Sequence, residues 1–180
     1  MMRTFISIDV PVNENIDGLL RELKGVEGVK VPPVQQIHLT LKFLGDVDER
    51  KVERLCAVLE KALTGEEAFD LTVEGIGAFP NTKRPSVIWM GVKDPDRLMH
   101  IAAIVDASVK GLNIGCDGRP FSPHITVGRV NGRADLDSVF KGYREKRFCS
   151  ITCDHVDVMK SVLTPKGAIH SVFGRIPLRP

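Results

Sequence analysis

Two short segments in opposite halves of the chain repeat one pattern of reactive side chains. The first reads His-Leu-Thr-Leu at residues 38–41, and the second reads His-Ile-Thr-Val at residues 124–127. Alternate side chains of a β-strand point to opposite faces of its sheet. Each segment is therefore predicted to be a strand that buries its aliphatic residues and presents a histidine and a threonine on the other face.

Two imidazoles that face one cavity can perform both proton transfers of phosphodiester cleavage. Imidazole titrates near neutral pH, so one ring can protonate a leaving oxygen while the other deprotonates an attacking water. Each threonine hydroxyl, about 7 Å along the strand from its histidine, can hydrogen-bond a non-bridging phosphate oxygen. We therefore predict a site composed of His38, Thr40, His124 and Thr126.

Two basic residues beside the motifs are candidates for substrate binding. Lys42 continues the alternation of the first motif and is predicted to face the site, although a plain surface lysine is the alternative. Strict alternation puts Arg129 on the face opposite His124. Arg129 can then reach a phosphate only if Gly128 permits a bulge or the strand ends there. We expect both residues to bind substrate rather than transfer protons.

Other interpretations of the histidines have weaker support. One His-x-Thr segment alone is typical of an ordinary half-buried strand histidine. Two copies in similar apolar surroundings, from only five histidines, favour a shared site. Metal binding lacks a carboxylate or thiol at ligand spacing on either strand, so no metal and no cofactor are predicted. The other histidines are assigned to structural positions: His100, His155 and His170.

The composition is that of an ordinary globular protein. The chain has 180 residues, 43% hydrophobic and 27% charged, with a net charge of +2, so any attraction for phosphate must be local. No apolar run could span a bilayer, and the first residues lack a signal-peptide pattern. The cysteines fit neither a zinc pattern nor a disulfide framework, which indicates a reducing cytoplasm. A bridge between Cys149 and Cys153 is the alternative; the other two cysteines are Cys56 and Cys116.

Hydrophobic periodicity and breaker residues divide the chain into helices and strands. Helices are predicted at residues 13–25, 48–65 and 94–111, capped by Asn13, Asp48 and Asp94, with a short helix near residues 136–140. Strands are predicted at residues 4–8, 38–44, 69–79, 86–92, 124–130, 148–163 and 168–176, the sixth being one long strand or two.

The order of these elements repeats loosely in the two halves. It predicts an α+β fold with mostly antiparallel sheets, in which residues 1–180 form a single domain of two lobes. The lobes would be related by a pseudo-twofold axis, with helices outside and the two His-x-Thr strands facing each other across a central cleft.

The motifs and their flanks resemble the signature of the two-histidine phosphoesterases, and among these the RNA 2′,3′-cyclic phosphodiesterases, also named 2′-5′ RNA ligases. The resemblance extends over nearly the whole chain. Besides the two His-x-Thr motifs, it includes Arg3-x-Phe5, Phe43-Leu44-Gly45, Ser122-Pro123, Arg129 and Ser161-x-Leu163-x-Pro165-x-Gly167.

This resemblance implies a metal-independent enzyme that opens a 2′,3′-cyclic phosphate at an RNA end, including the ends of tRNA fragments, to a 2′-phosphate. It implies that His38 is the proton donor and His124 the proton acceptor, while Thr40, Thr126 and Arg129 hold the phosphate. The near-identity of the motifs leaves the donor and acceptor assignment open at this point. The reverse reaction, 2′-5′ RNA ligation, is also implied. We expect a monomer in the cytoplasm, with no membrane partner.

Two other functions are compatible with the same motifs. One is a non-catalytic module that binds RNA or nucleotides without turnover. The other is a hydrolase of small cyclic nucleotides or of an ADP-ribose cyclic phosphate. Basic residues near the cleft mouth would favour a longer polyanion over a small substrate, and the candidates are Lys83, Arg84, Lys160 and Lys166.

Overall fold

The computed structural model describes residues 1–115 and 117–180, so Cys116 lies outside the described residues. Within them the chain forms nine β-strands and four α-helices. The strands are Met2–Asp9 (β1), Val29–Lys30 (β2), His38–Val47 (β3), Phe69–Phe79 (β4), Val87–Lys93 (β5), Ile125–Val130 (β6), Arg147–Cys153 (β7), His155–Thr164 (β8) and Gly167–Pro177 (β9). The helices are Glu14–Lys24 (α1), Glu49–Leu63 (α2), Asp96–Gly111 (α3) and Asp137–Tyr143 (α4).

The strands form two antiparallel sheets, which confirms the predicted α+β class. One sheet has the order β3-β1-β8-β9, and the other has the order β2-β6-β5-β4-β7. Each sheet therefore contains one His-x-Thr strand, β3 in the first and β6 in the second. Buried residues of both sheets and of the helices belong to one hydrophobic core.

The segment at 148–163, for which the sequence left two interpretations open, is two strands in different sheets. β7 pairs with β4, whereas β8 pairs with β1 and β9. Asp154 lies between them and belongs to neither strand. The chain crosses here from one sheet to the other, so a single strand over the whole segment was the wrong alternative.

The first two helices begin where the capping residues predict, and the first also ends at its predicted cap, Gly25, whereas the second ends at Leu63 with Thr64 as its C-cap. Asn13 accepts a hydrogen bond from the backbone N–H of Ile16 at 3.0 Å, and Asp48 accepts one from Arg50 at 2.9 Å. Each helix buries a stripe of residues spaced three or four apart, and those of α1 are Ile16, Leu19, Leu20 and Leu23.

The predicted cap of the third helix is wrong. Asp94 has φ 49°, which is a left-handed turn conformation, and Pro95 occupies the N-cap position without a side-chain capping bond. β5 ends at Lys93 and α3 begins at Asp96, so the chain must reverse within two residues. Asp tolerates the left-handed conformation better than most residues, which suits it to this turn.

The free thiols exclude the alternative disulfide. Cys149 and Cys153 are both free, and both lie on β7. Four residues along an extended strand span about 13 Å, which is well beyond the Cα separation that a disulfide can bridge. Among the described residues, no helix combines the length and the apolar character needed to cross a membrane.

Candidate active site

The first motif begins β3, and its histidine is held by its own chain. Nδ1 of His38 lies 2.6 Å from the carbonyl oxygen of Gln36. A carbonyl oxygen only accepts, so Nδ1 carries a proton and donates it to this bond. Nε2 lies 2.9 Å from Oγ1 of Thr40, two residues further along the strand. The ring therefore presents Nε2 to the threonine hydroxyl and to anything bound beside it.

The second motif repeats this arrangement just before β6. Nδ1 of His124 lies 2.7 Å from the carbonyl oxygen of Ser122, again two residues earlier in the chain. The same argument assigns the proton to Nδ1 and leaves Nε2 for proton exchange with a ligand. The edge of the His124 ring packs against Phe79 at 5.0 Å between ring centroids.

The two motifs line one cleft of about 390 Å³. The structure thus brings together four of the side chains predicted from the sequence, namely His38, Thr40, His124 and Thr126. Leu39, Ile125 and Val127 on the opposite faces are completely buried, as the alternation predicted. A cleft of this size can hold a single nucleotide.

Arg129 also lines the cleft, because β6 contains a bulge. Thr126 lies opposite Trp89 of β5, and Gly128 lies opposite Ile88, so Val127 has no partner across the ladder. The extra residue shifts the alternation by one. Arg129 and Thr126 therefore lie on the same face of β6. A bulge of this kind was one condition under which Arg129 was expected to reach a phosphate.

A corresponding bulge in β3 places Lys42 differently from the prediction. Thr40 lies opposite Ser7 of β1. Lys42 lies opposite Ile6, the very next residue of β1, so Leu41 has no partner in the ladder. Since neighbouring residues of β1 point to opposite faces, Lys42 and Thr40 do too.

Two partners of Lys42 are not among the residues that line the cleft. Its Nζ is 2.7 Å from Oδ1 of Asp106 on α3 and 3.2 Å from the carbonyl oxygen of Asp117. Lys42 is not among the residues that line the cleft. The expectation that it faces the site is therefore corrected. The physical reason is the bulge, which reverses the alternation after Thr40.

His170, which was assigned to a structural position, lies in the cleft. Its ring is edge-on to that of His38 with centroids 5.5 Å apart, and Phe5 packs against both rings at 5.0 and 4.8 Å. The sequence shows part of this, because Ala168 and His170 are two residues apart on a predicted strand and must share a face. In the structure, both line the cleft. The sequence could not show which face of β9 would be turned toward the motifs.

Burial in the cleft disfavours the charged, protonated forms of His38 and His170. It lowers the pKa of His38 below the ordinary imidazole value, and His124 adds to the lowering. The hydrogen bond to Gln36 and the carboxylate of Asp9 oppose the shift. Burial, and then the nearby His38, lower the pKa of His170. A bound phosphate anion would reverse these effects, because it favours the imidazolium form.

The remaining cleft residues supply positive charge and walls. Lys30 and Lys166 line the cleft beside Arg129, and the loop at residues 31–33 forms part of its wall. Of the four lysines and arginines expected near the cleft mouth, only Lys166 is among the described residues that line the cleft. No group of three or more His, Cys, Asp or Glu side chains in the described ranges has an arrangement that could hold a metal ion.

Comparison with known proteins supports the likeness seen in the motifs. The family model described as "LigT like Phosphoesterase" matches residues 6–89 and 91–170. The chain is 36% identical over 172 residues to the RNA 2′,3′-cyclic phosphodiesterase of Archaeoglobus fulgidus, covering 94% of this chain and 96% of the relative. It is 33% identical over 178 residues to the RNA 2′,3′-cyclic phosphodiesterase of Thermotoga maritima, covering 96% and 93%.

Solved structures share the whole architecture. The crystal structure of TT0787 of Thermus thermophilus superposes with a TM-score of 0.81 at 27% identity, covering 99% of this chain and 98% of that one. A crystal structure of E. coli LigT complexed with 3′-AMP has the same fold, with a TM-score of 0.79 at 22% identity and 99% of both chains covered. From the family match over nearly its entire length and its full-length relatives, this chain belongs to the LigT-like phosphoesterase family.

Proposed function

We propose that the protein is an RNA 2′,3′-cyclic phosphodiesterase, which opens the cyclic phosphate at an RNA 3′ end and leaves a 2′-phosphate. One observation carries the proposal. Two imidazoles, one at the start of β3 and one directly before β6, line a single cleft, and each is fixed through Nδ1 by the carbonyl two residues before it. The full-length relatives named RNA 2′,3′-cyclic phosphodiesterases support the same activity.

In the proposed reaction, water attacks the phosphorus while Nε2 of His124 takes its proton. The bond from phosphorus to the ribose 3′-oxygen breaks, and Nε2 of a protonated His38 gives its proton to that oxygen. The product carries the phosphate on the 2′-oxygen and a free 3′-hydroxyl. Burial lowers the pKa of His38, which makes its imidazolium a stronger acid, while the bound phosphate anion keeps it protonated until transfer.

Three side chains are proposed to hold the phosphate. The hydroxyls of Thr40 and Thr126 donate hydrogen bonds to its non-bridging oxygens, whose negative charge increases in the transition state. Arg129 adds a charge-assisted contact from the same face as Thr126. The same steps, with an RNA 5′-hydroxyl in place of water, would join a cyclic-phosphate end to that hydroxyl and produce a 2′-5′ linkage.

The substrate is proposed to be RNA, including tRNA fragments, and the protein to act as a monomer in the cytoplasm. The positive side chains in the cleft support a polyanionic substrate, since Lys30, Arg129 and Lys166 all line it. Of the two other candidates, the non-catalytic binding module predicts a different outcome of the experiment that follows. The hydrolase of small cyclic nucleotides is tested by comparing a mononucleotide with a longer substrate.

The test uses an RNA oligonucleotide that ends in a 2′,3′-cyclic phosphate, incubated with the protein and an excess of chelator. We expect turnover, with a phosphorus NMR signal from a 2′-phosphate and none from a 3′-phosphate. Tight binding without turnover would support the binding module and contradict the proposal. A strict metal requirement or a 3′-phosphate product would contradict the proposed mechanism.

A further inference from the structure

A second groove adjoins the cleft, and the proposed reaction does not use it. This groove, about 450 Å³ in volume, shares with the cleft the residues Pro33, Gln36, Lys166, Gly167 and Ala168. It is completed on the far side by Thr164, Pro165 and Ile169. The two cavities are therefore adjacent along the loop before β3 and the turn between β8 and β9.

The walls of this adjoining groove are held in place by hydrogen bonds. The Thr164 hydroxyl donates to the Gly167 carbonyl across the β8–β9 turn at 2.6 Å. The side-chain amide of Gln36 donates to the Ala168 carbonyl, which ties the loop before β3 to the start of β9. Both sides of the groove are thus positioned before any ligand arrives, which reduces the entropy lost on binding.

The adjoining groove is mainly apolar, yet it opens to solvent. Pro33, Pro165, Ala168 and Ile169 supply its apolar walls, and Ile169 is 59% exposed. Ile169 therefore leaves apolar surface available to a ligand that enters the groove. Lys166 borders both cavities and places one cation where they meet.

We propose that the adjoining groove binds the nucleoside on the 5′ side of the cyclic-phosphate nucleotide; the inference rests on the proposed function. The face of any base can pack on apolar walls, and Lys166 lies where the intervening phosphate must pass. The described residues that line the groove include no aromatic ring, so base preference at this position is weak. The cleft alone has room for a single nucleotide. The groove therefore makes the enzyme selective for RNA ends over cyclic mononucleotides.

The experiment compares kcat/KM for a mononucleoside 2′,3′-cyclic phosphate with that for a dinucleotide ending in the same nucleotide. We expect the dinucleotide to be preferred by about tenfold, and Ile169→Ser to reduce the preference by about 3- to 10-fold through lost apolar contact. Val162→Ser is the matched control. Val162 lies directly opposite Ile169 in the ladder and is 46% exposed, but it does not line the groove. The control variant should keep the wild-type preference.

Each contrary outcome identifies what failed. Equal kcat/KM for the two substrates, or equal loss of preference in both variants, overturns the inference and leaves the phosphodiesterase proposal standing. No hydrolysis of either substrate overturns the proposed function and the inference with it. Sedimentation velocity tests whether the groove instead holds a second copy of the chain. A dimer that Ile169→Ser dissociates and Val162→Ser preserves would also overturn the inference.

Discussion

The two halves of the cleft are built alike around their histidines. Each imidazole donates through Nδ1 to the carbonyl two residues earlier, and each packs against a phenylalanine from another strand of the same sheet. Phe5 contacts His38 and Phe79 contacts His124, both at 5.0 Å between ring centroids. Each strand also has an unpaired bulge residue directly after its threonine. The shared geometry indicates that both rings are positioned for one ligand.

The residues that follow each bulge make the halves different. Five positions after the histidine, the second motif has Arg129, which the bulge turns into the cleft. The same position of the first motif has Phe43, which is 42% exposed and lies under the guanidinium of Arg3 at 4.9 Å. His170 also packs on His38. The first half thus provides a more enclosed imidazole, and the second provides the cation.

The largest expected effect tests whether both halves act in catalysis. His38→Ala and His124→Ala should each lower kcat by about 10²- to 10⁴-fold, because each removes a proton-transfer group. His100→Ala is the control: His100 lies on α3, half exposed, and contacts Glu66 at 3.0 Å. Single-turnover assays with circular dichroism on each variant separate activity from folding. Near-normal turnover in either cleft variant would refute the paired roles.

A second experiment tests whether the two bulges decide which basic residue, Arg129 or Lys42, contacts the substrate. Arg129→Gln should lower kcat/KM by about 10- to 100-fold, as expected for a lost charge-assisted bond to phosphate. Lys42→Gln should keep kcat/KM within about twofold, because Lys42 does not line the cleft and pairs with Asp106, which does not line it either. Its cost should be in stability, about 1 to 3 kcal/mol because the Lys42 side chain is mostly buried, measured by urea unfolding. The opposite pattern of activity loss would show that the bulges do not decide which cation meets the substrate.

Removing either threonine hydroxyl should have a smaller effect on activity than the histidine and arginine changes above, and a similar effect in both halves of the cleft. Thr40→Val and Thr126→Val retain the β-branched shape that suits a strand but remove one hydroxyl each, so kcat/KM should fall about tenfold in either variant. Thr40→Val should also change the alkaline limb of the pH–rate profile, because its hydroxyl lies 2.9 Å from Nε2 of His38, the proposed proton donor, which must be protonated to act. A shift of that limb in Thr126→Val alone would contradict the assignment of His38 to it.

The smallest effect concerns stability against pH. Burial lowers the pKa of His38 and of His170 in the folded protein, so the unfolded chain binds protons first as the pH falls below the ordinary imidazole value. The free energy of unfolding should therefore decrease from pH 7 to pH 5. His170→Gln should make that decrease smaller, as measured by urea unfolding at both pH values. An unchanged decrease in the variant would contradict a contribution from His170.

Much of the fold and part of the site follow from local patterns. The buried stripe of α1 and its Asn13 cap are visible in the sequence, because helical spacing and capping involve only neighbouring residues. The two His-x-Thr pairs, with buried aliphatic residues between them, are visible for the same reason. The interpretation failed at Asp94, where the length of a turn overrode a capping preference.

Sequence alone determined the motifs, the aliphatic faces beneath them and the α+β class. Only the tertiary structure decided that Arg129 enters the cleft while Lys42 leaves it, that His170 joins His38, and that residues 148–163 divide between two sheets. The reason is physical. Alternation along a strand is a local property, whereas a bulge and the orientation of a sheet face are set by pairing with strands distant in the chain.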